Sequence, residues 1–158
     1  MKLLFLTACI SFCFSSLSQD GLNLEVEDLY DNNIIIPTWN NLSNLLFCDN
    51  KDFSATMEKY DYSAIQNDGS YIANTRVGSP YFTIKKGGSD IVIIFTKDMG
   101  YASKFRRELK SKINNVQPKY DGDTEYYYVT TEVKGSRHDL KIVIRENSGR
   151  STCGIVLL

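Results

Sequence analysis

Apolar residues recur along this chain with two periods, and the alternation between them sets out its elements. From Thr38 to Tyr60 the spacing is three and four. Trp39, Leu42, Leu45, Leu46 and Cys48 line one side of a helix capped by Thr38, and Phe53, Met57 and Tyr60 line a second, shorter helix opening at Asp49 or Asp52. From Ser70 the period becomes two, and Ser70 to Arg76, Tyr81 to Lys86 and Asp90 to Lys97 read as strands. Val77-Gly78-Ser79-Pro80 supplies the first turn, and Gly87-Gly88 is expected to supply the positive φ values of a tight hairpin. Ile91, Val92, Ile93, Ile94 and Phe95 are apolar on both faces, which places that strand at the centre of its sheet.

The longer period then returns. Met99, Ala102, Phe105, Leu109, Ile113 and Val116 fall within an arc of roughly 120° at about 100° per residue, an amphipathic helix with Asp98 as its N-cap. Lys104, Arg107, Lys110 and Lys112 lie outside that arc and Arg106 on its edge, a solvated basic exterior. Asn114 to Thr124 reads as a polar connection, followed by strands at Glu125 to Val133, His138 to Arg145 and Thr152 to Leu157. In the first of these Tyr127, Val129, Thr131 and Val133 share one face, and Tyr126, Tyr128, Thr130 and Glu132 share the other.

The order helix, three strands, helix, three strands predicts an α+β domain over residues 38–158. Its antiparallel sheet of about six strands has helices on one face and is arranged as two helix-plus-three-strand units, 38–97 and 98–158. Phe53, Met57 and Tyr60 take the role in the first unit that Phe105, Leu109 and Ile113 take in the second. The layout resembles that of bacterial exported inhibitors of the beta-lactamase-inhibitor type, which are built as tandem helix-plus-meander units. It is a resemblance of layout and carries no functional residue across.

What precedes the domain concerns address. Met1, Lys2, an apolar run from Leu3 to Phe14 and the small residues Ser16 and Ser18 describe a secretory signal peptide over residues 1–19, with cleavage after Ser18 or Gln19. The run is too short to anchor the chain across a bilayer. Leu6-Thr7-Ala8-Cys9 offers an alternative, a lipoprotein signal lipidated at Cys9, but only about six apolar residues precede that cysteine where an h-region has roughly seven to fifteen. The expected location is therefore periplasmic or secreted. Residues 20–37 form an acidic lead-in, in which Leu22, Leu24 and Val26 alternate and Ile34, Ile35 and Ile36 are expected to pack onto the domain.

Charge and cysteine content narrow the function classes. Residues 20–158 carry 17 basic and 19 acidic side chains, a net charge of −2, which argues against a nucleic-acid partner. Cys48 and Cys153 remain after cleavage, and an even pair in an exported chain predicts one disulfide. His138 is the sole histidine, which excludes multi-histidine zinc sites, and Asp139 beside it on a strand points to the opposite face. Asp121, Asp123 and Glu125 are the carboxylates that a hydrolytic site would draw on, although Tyr126 stands at the sixth position from Asp121 where a calcium loop needs glycine. No phosphate loop, nucleophile elbow or dinucleotide fingerprint occurs, and no catalytic residue, metal ligand or cofactor is assigned.

The aromatic content is mostly tyrosine, and the consecutive Tyr126-Tyr127-Tyr128 must send at least one ring away from the core. These observations favour an exported, non-enzymatic binding protein, an inhibitor or immunity-type factor docking a protein partner through an exposed sheet face. Tyr126, Tyr128 and Glu132 are its candidate binding residues. A hydrolase using the three carboxylates and a structural envelope-associated domain stand as alternatives.

Overall fold

The protein was analysed as a computed structural model, which describes residues 27–29, 32–65, 68–74, 82–96, 100–113, 116–133 and 135–158. The signal segment with Cys9, the Leu22 to Val26 alternation, the Val77 to Pro80 turn, and Asp98 and Met99 of the expected helix start lie outside the described residues. The elements are β1 (Glu27–Leu29), β2 (Asn32–Ile34), α1 (Trp39–Phe47), α2 (Asn50–Lys59), β3 (Tyr62–Ala64), β4 (Ser70–Ala73), β5 (Phe82–Lys86), β6 (Asp90–Thr96), α3 (Tyr101–Lys112), β7 (Lys119–Asp121), β8 (Thr124–Val133), β9 (Ser136–Asn147) and β10 (Arg150–Leu157). β1 and β2 form a separate hairpin within the stretch read as a solvated lead-in. The other strands make one antiparallel sheet of eight in the order β3-β4-β5-β6-β10-β9-β8-β7, and the fold is α+β.

The sheet has eight strands, not about six, because two edge strands escaped the sequence pattern. β3 and β7 are three residues each, too short for a period of two to show. Each meander runs from an edge inward, so the central β6 and β10 pair with each other. β6 alternates buried Ile91, Ile93 and Phe95 with half-buried Val92 and Ile94, as its two-sided apolar run predicts.

α1 and α2 begin where side chains supply acceptors for their first free N–H groups, whereas α3 is capped by Gly100 with no side-chain hydrogen bond rather than by Asp98. Thr38 caps α1 by accepting from the Asn41 backbone N–H at 3.1 Å, and Asp49 caps α2 by accepting from the Asp52 N–H at 2.7 Å. Leu42, Leu45 and Leu46 of α1, Phe53 and Met57 of α2, and Tyr101, Ala102, Phe105 and Leu109 of α3 are buried against the sheet. Each such large apolar side chain contributes roughly 1.5–3 kcal/mol by leaving water. α3 is shorter than its stripe implied: it starts after Gly100, at φ 79°, and ends at Lys112, so Ile113 and Val116 pack on the core from beyond the helix. Lys86 finishes α1 at its other end, its Nζ donating to the Leu45 and Leu46 carbonyls, the latter at 2.7 Å, where the helix dipole favours a cation.

Two further expectations are corrected by local geometry. The Gly87-Gly88 hairpin forms, but neither glycine has positive φ. At Gly87 a Cβ would lie 1.9 Å from Asp90 Oδ1, so a larger residue there would make the Asp90 side chain move aside, while the Gly87 N–H donates to the Asp90 carbonyl at 2.8 Å. Likewise no disulfide joins Cys48 to Cys153. The Cys48 Sγ–H turns back to the Leu45 carbonyl of its own helix at 3.2 Å, and Cys153 is buried on β10 between Ile93 and Ile144. Ile34, Ile35 and Ile36 are core residues, with the Ile35 N–H donating to the buried Tyr62 hydroxyl at 3.0 Å.

Candidate functional site

All three helices pack on one face of the eight-stranded sheet, and the register of the strands defines what the other face presents. One row runs Ile72, Thr83, Ile94, Thr152, Arg145 and Thr124 across β4, β5, β6, β10, β9 and β8. The next runs Lys85, Val92, Gly154, Val143, Tyr126 and Lys119, and a third runs Asp90, Val156, Lys141 and Tyr128. Ile72, Val92, Ile94, Val143 and Val156 are half-buried, so an apolar field of β-branched side chains lies at the centre of this face, and among the described residues no helix lies over it. Gly154 shapes the middle row: a Cβ there would lie 2.9 Å from the Ile91 carbonyl oxygen and 3.1 Å from a methyl of Val92.

Tyr126, Tyr128 and Glu132 all project from β8 on this face, with Tyr128 44% exposed and Glu132 also exposed. Their surroundings include residues that the sequence did not single out. The Lys141 ammonium lies 4.1 Å from the Tyr126 ring centre and the Lys119 ammonium 5.0 Å from that of Tyr128. Two cations and two rings therefore interleave, each lysine riding on an aromatic face that attracts it through the ring quadrupole. Glu132 sits further along, opposite Arg137, and Thr130 donates to Asp139 at 2.6 Å between them. Lys141 was visible as the polar half of an alternating strand. Lys119 was not, because its three-residue strand was read as a connection.

The carboxylates that a hydrolytic site would need are divided between the two faces. Asp121 is exposed on the short edge strand. Asp123, in the turn, accepts from Arg145 Nε at 2.9 Å on the open face, and that hydrogen bond holds its carboxyl below the usual carboxylate range. Glu125 turns to the helix side, where it is buried and accepts from Arg106 Nε at 2.6 Å and from the Tyr127 hydroxyl. Arg106 also donates to Glu146 at 2.7 Å, so one guanidinium neutralises two carboxylates. Burial, and then the hydrogen bond to Glu125, hold the Tyr127 phenol protonated well above its ordinary range. This cluster is closed on itself and ties α3 to β8 and β9.

The His138 ring packs against Phe47 of α1, tilted by 49° with ring centres 4.8 Å apart. Among the described residues no group of three or more histidines, cysteines, aspartates or glutamates converges to hold a metal ion, and no helix is long and apolar enough to cross a membrane. No protein family, curated protein or solved structure matches the chain, so its residues are interpreted from their own geometry.

Proposed function

We propose that the protein is an exported, non-enzymatic binding protein that holds a protein partner against the open face of its sheet. The observation that carries this is the combination on one uncovered surface of a central apolar field, Ile72, Val92, Ile94, Val143 and Val156, with the interleaved Tyr126, Tyr128, Lys119 and Lys141 at its β8 side. Rings presented this way offer large, stiff contact area with a hydroxyl at the tip, and the cations beside them favour acidic groups on the partner. Glu132 extends the contact toward a basic group. Glu125 lies on the helix side, apart from Asp121 and Asp123, so the three carboxylates do not converge on one site.

The halves 38–97 and 98–158 are, in the same proposal, related copies of one plan, since α2 and α3 each precede a four-stranded meander that ends at the centre of the sheet. The export signal at residues 1–19 brings the domain to the compartment where its partner is met.

The test is quantitative capture. Binding of envelope and culture-fluid proteins to the immobilised chain is compared with binding to a Tyr126→Ser/Tyr128→Ser variant. Retained fold with affinity reduced about thirtyfold or more per hot-spot ring is expected, from about 2 kcal/mol each. Equal capture by the two chains would reject the open face as the docking surface.

A further inference from the structure

The outer edge of β8 carries a second feature. β7 covers only Thr124 to Tyr126, by the pairs Asp121 with Thr124, Tyr120 with Glu125 and Lys119 with Tyr126. Among the described residues no strand lies outside Tyr127 to Val133, which pair with β9 on their inner side alone. The two tight turns fix which backbone groups look outward. Asp121 and Thr124 close the β7–β8 turn, so even-numbered residues of β8 direct N–H and C=O away from β9. Val133 and Ser136 close the β8–β9 turn, so odd-numbered residues direct theirs toward β9. Tyr128, Thr130 and Glu132 thus hold three outward donor and acceptor pairs.

Sheet edges are ordinarily blunted by shortness, lysine, proline or bulges. The opposite edge, β3, is three residues long. The run Tyr128-Val129-Thr130-Thr131-Glu132 has none of these protections, being β-branched at its centre and carrying a single charge. Beside it on the helix side lies a shallow pocket of about 200 Å³ lined by Trp39, Lys112, Ile113, Val129, Thr130 and Thr131.

We propose that this edge pairs with the same edge of a second copy of the chain, antiparallel about a two-fold axis at Thr130. The register is self-complementary. Thr130 faces Thr130 of the other copy, Tyr128 faces Glu132, and Val129 faces Thr131. No like charges meet, and the incoming Glu132 carboxylate lands beside Tyr128, where the Lys119 ammonium already lies over the ring at 5.0 Å. On the helix side each copy's Val129 and Thr131 point toward the other's pocket at Trp39 and Ile113. A two-fold axis perpendicular to the sheet keeps both open faces on one side, so pairing joins two eight-stranded sheets into a continuous surface.

The test is the mass of the full chain in solution together with cross-linking at the axis. Sedimentation across a wide concentration range is expected to show a species of twice the mass of the single chain. Glu132→Lys, which sets a cation against Lys119, and Thr130→Pro, which removes an outward N–H, should each shift it to monomer. Opposed residues of a hydrogen-bonded pair lie about 5.5 Å apart at Cα, within disulfide reach, so Thr130→Cys in a Cys48→Ser background should oxidise to a covalent dimer. Ala64→Cys, on the opposite edge, should not. A chain that stays monomeric, or a dimer that survives both edge substitutions without linking through position 130, would overturn the proposal. So would a monomer that captures an unrelated extended peptide on this edge.

Discussion

Four consecutive residues of β8, Glu125 to Tyr128, present two polar arrangements to opposite sides of one sheet. On the helix side Glu125 and Tyr127 are buried, Glu125 accepting from both Arg106 and the Tyr127 hydroxyl. On the open side Tyr126 and Tyr128 carry lysines on their rings and remain accessible. The difference is one of compensation. A carboxylate out of water must have its counter-charge and hydrogen bonds supplied internally, which makes the cluster a fixed joint between α3 and the sheet. A lysine over an exposed ring keeps its water and costs little to rearrange, which leaves it available to a partner. The same alternation thus yields a fixed joint on one face and, in the proposed function, a contact surface on the other.

Substitutions that separate adjacent residues by face should expose this contrast most strongly. Ile93→Ala, on the covered face, is expected to lower unfolding free energy by about 4 kcal/mol, whereas the neighbouring Ile94→Ala should cost about 1 kcal/mol. Denaturant unfolding gives both values, and similar losses would mean that the open face is covered in solution. The charges follow next. Arg106→Met leaves the buried Glu125 without its partner and is expected to cost about 2 kcal/mol, below a fully buried pair because the Arg106 side chain is 25% exposed. Lys141→Met should change stability by less than about 0.5 kcal/mol while weakening partner capture.

The smallest effect concerns acid. Because the hydrogen bond from Arg145 depresses the Asp123 carboxyl, its contribution is present above the unfolded carboxylate value and is lost as pH falls through the lower, folded one. Asp123→Asn should therefore differ from the parent at neutral pH and converge with it well below about pH 4. An acid-unfolding titration monitored by circular dichroism would show whether the difference closes in that window.

Much of the fold was readable because it depends on short-range physics. Trp39, Leu42 and Leu45 mark a helix by their spacing alone, and Thr38 caps it with its own hydroxyl. The two-sided run from Ile91 to Phe95 indicates a central strand because neighbouring strands on either side shield the apolar side chains that it presents on both faces. What remained hidden depended on partners distant in the chain. β3 and β7 become strands by pairing with neighbours, their three residues having no period of their own. The expected Cys48–Cys153 bridge rested on parity of number, and number carries no distance. Arg106 read as the edge of a solvated helix face, since nothing local brings Glu125 and Glu146 to it.

The candidate site divides along the same line. The sequence by itself determined that Tyr126, Tyr128 and Glu132 share a face, because successive side chains of a strand must point to opposite sides. It determined nothing about which lysines would meet the rings, since cross-strand register is set by turns and by burial of the opposite face. Only the tertiary structure decided that Lys119 and Lys141 close on those tyrosines, and that β7 stops short and leaves Tyr128 to Glu132 an open edge. Alternation is a property of the backbone, whereas neighbours across a sheet follow from how the whole chain buries its apolar surface.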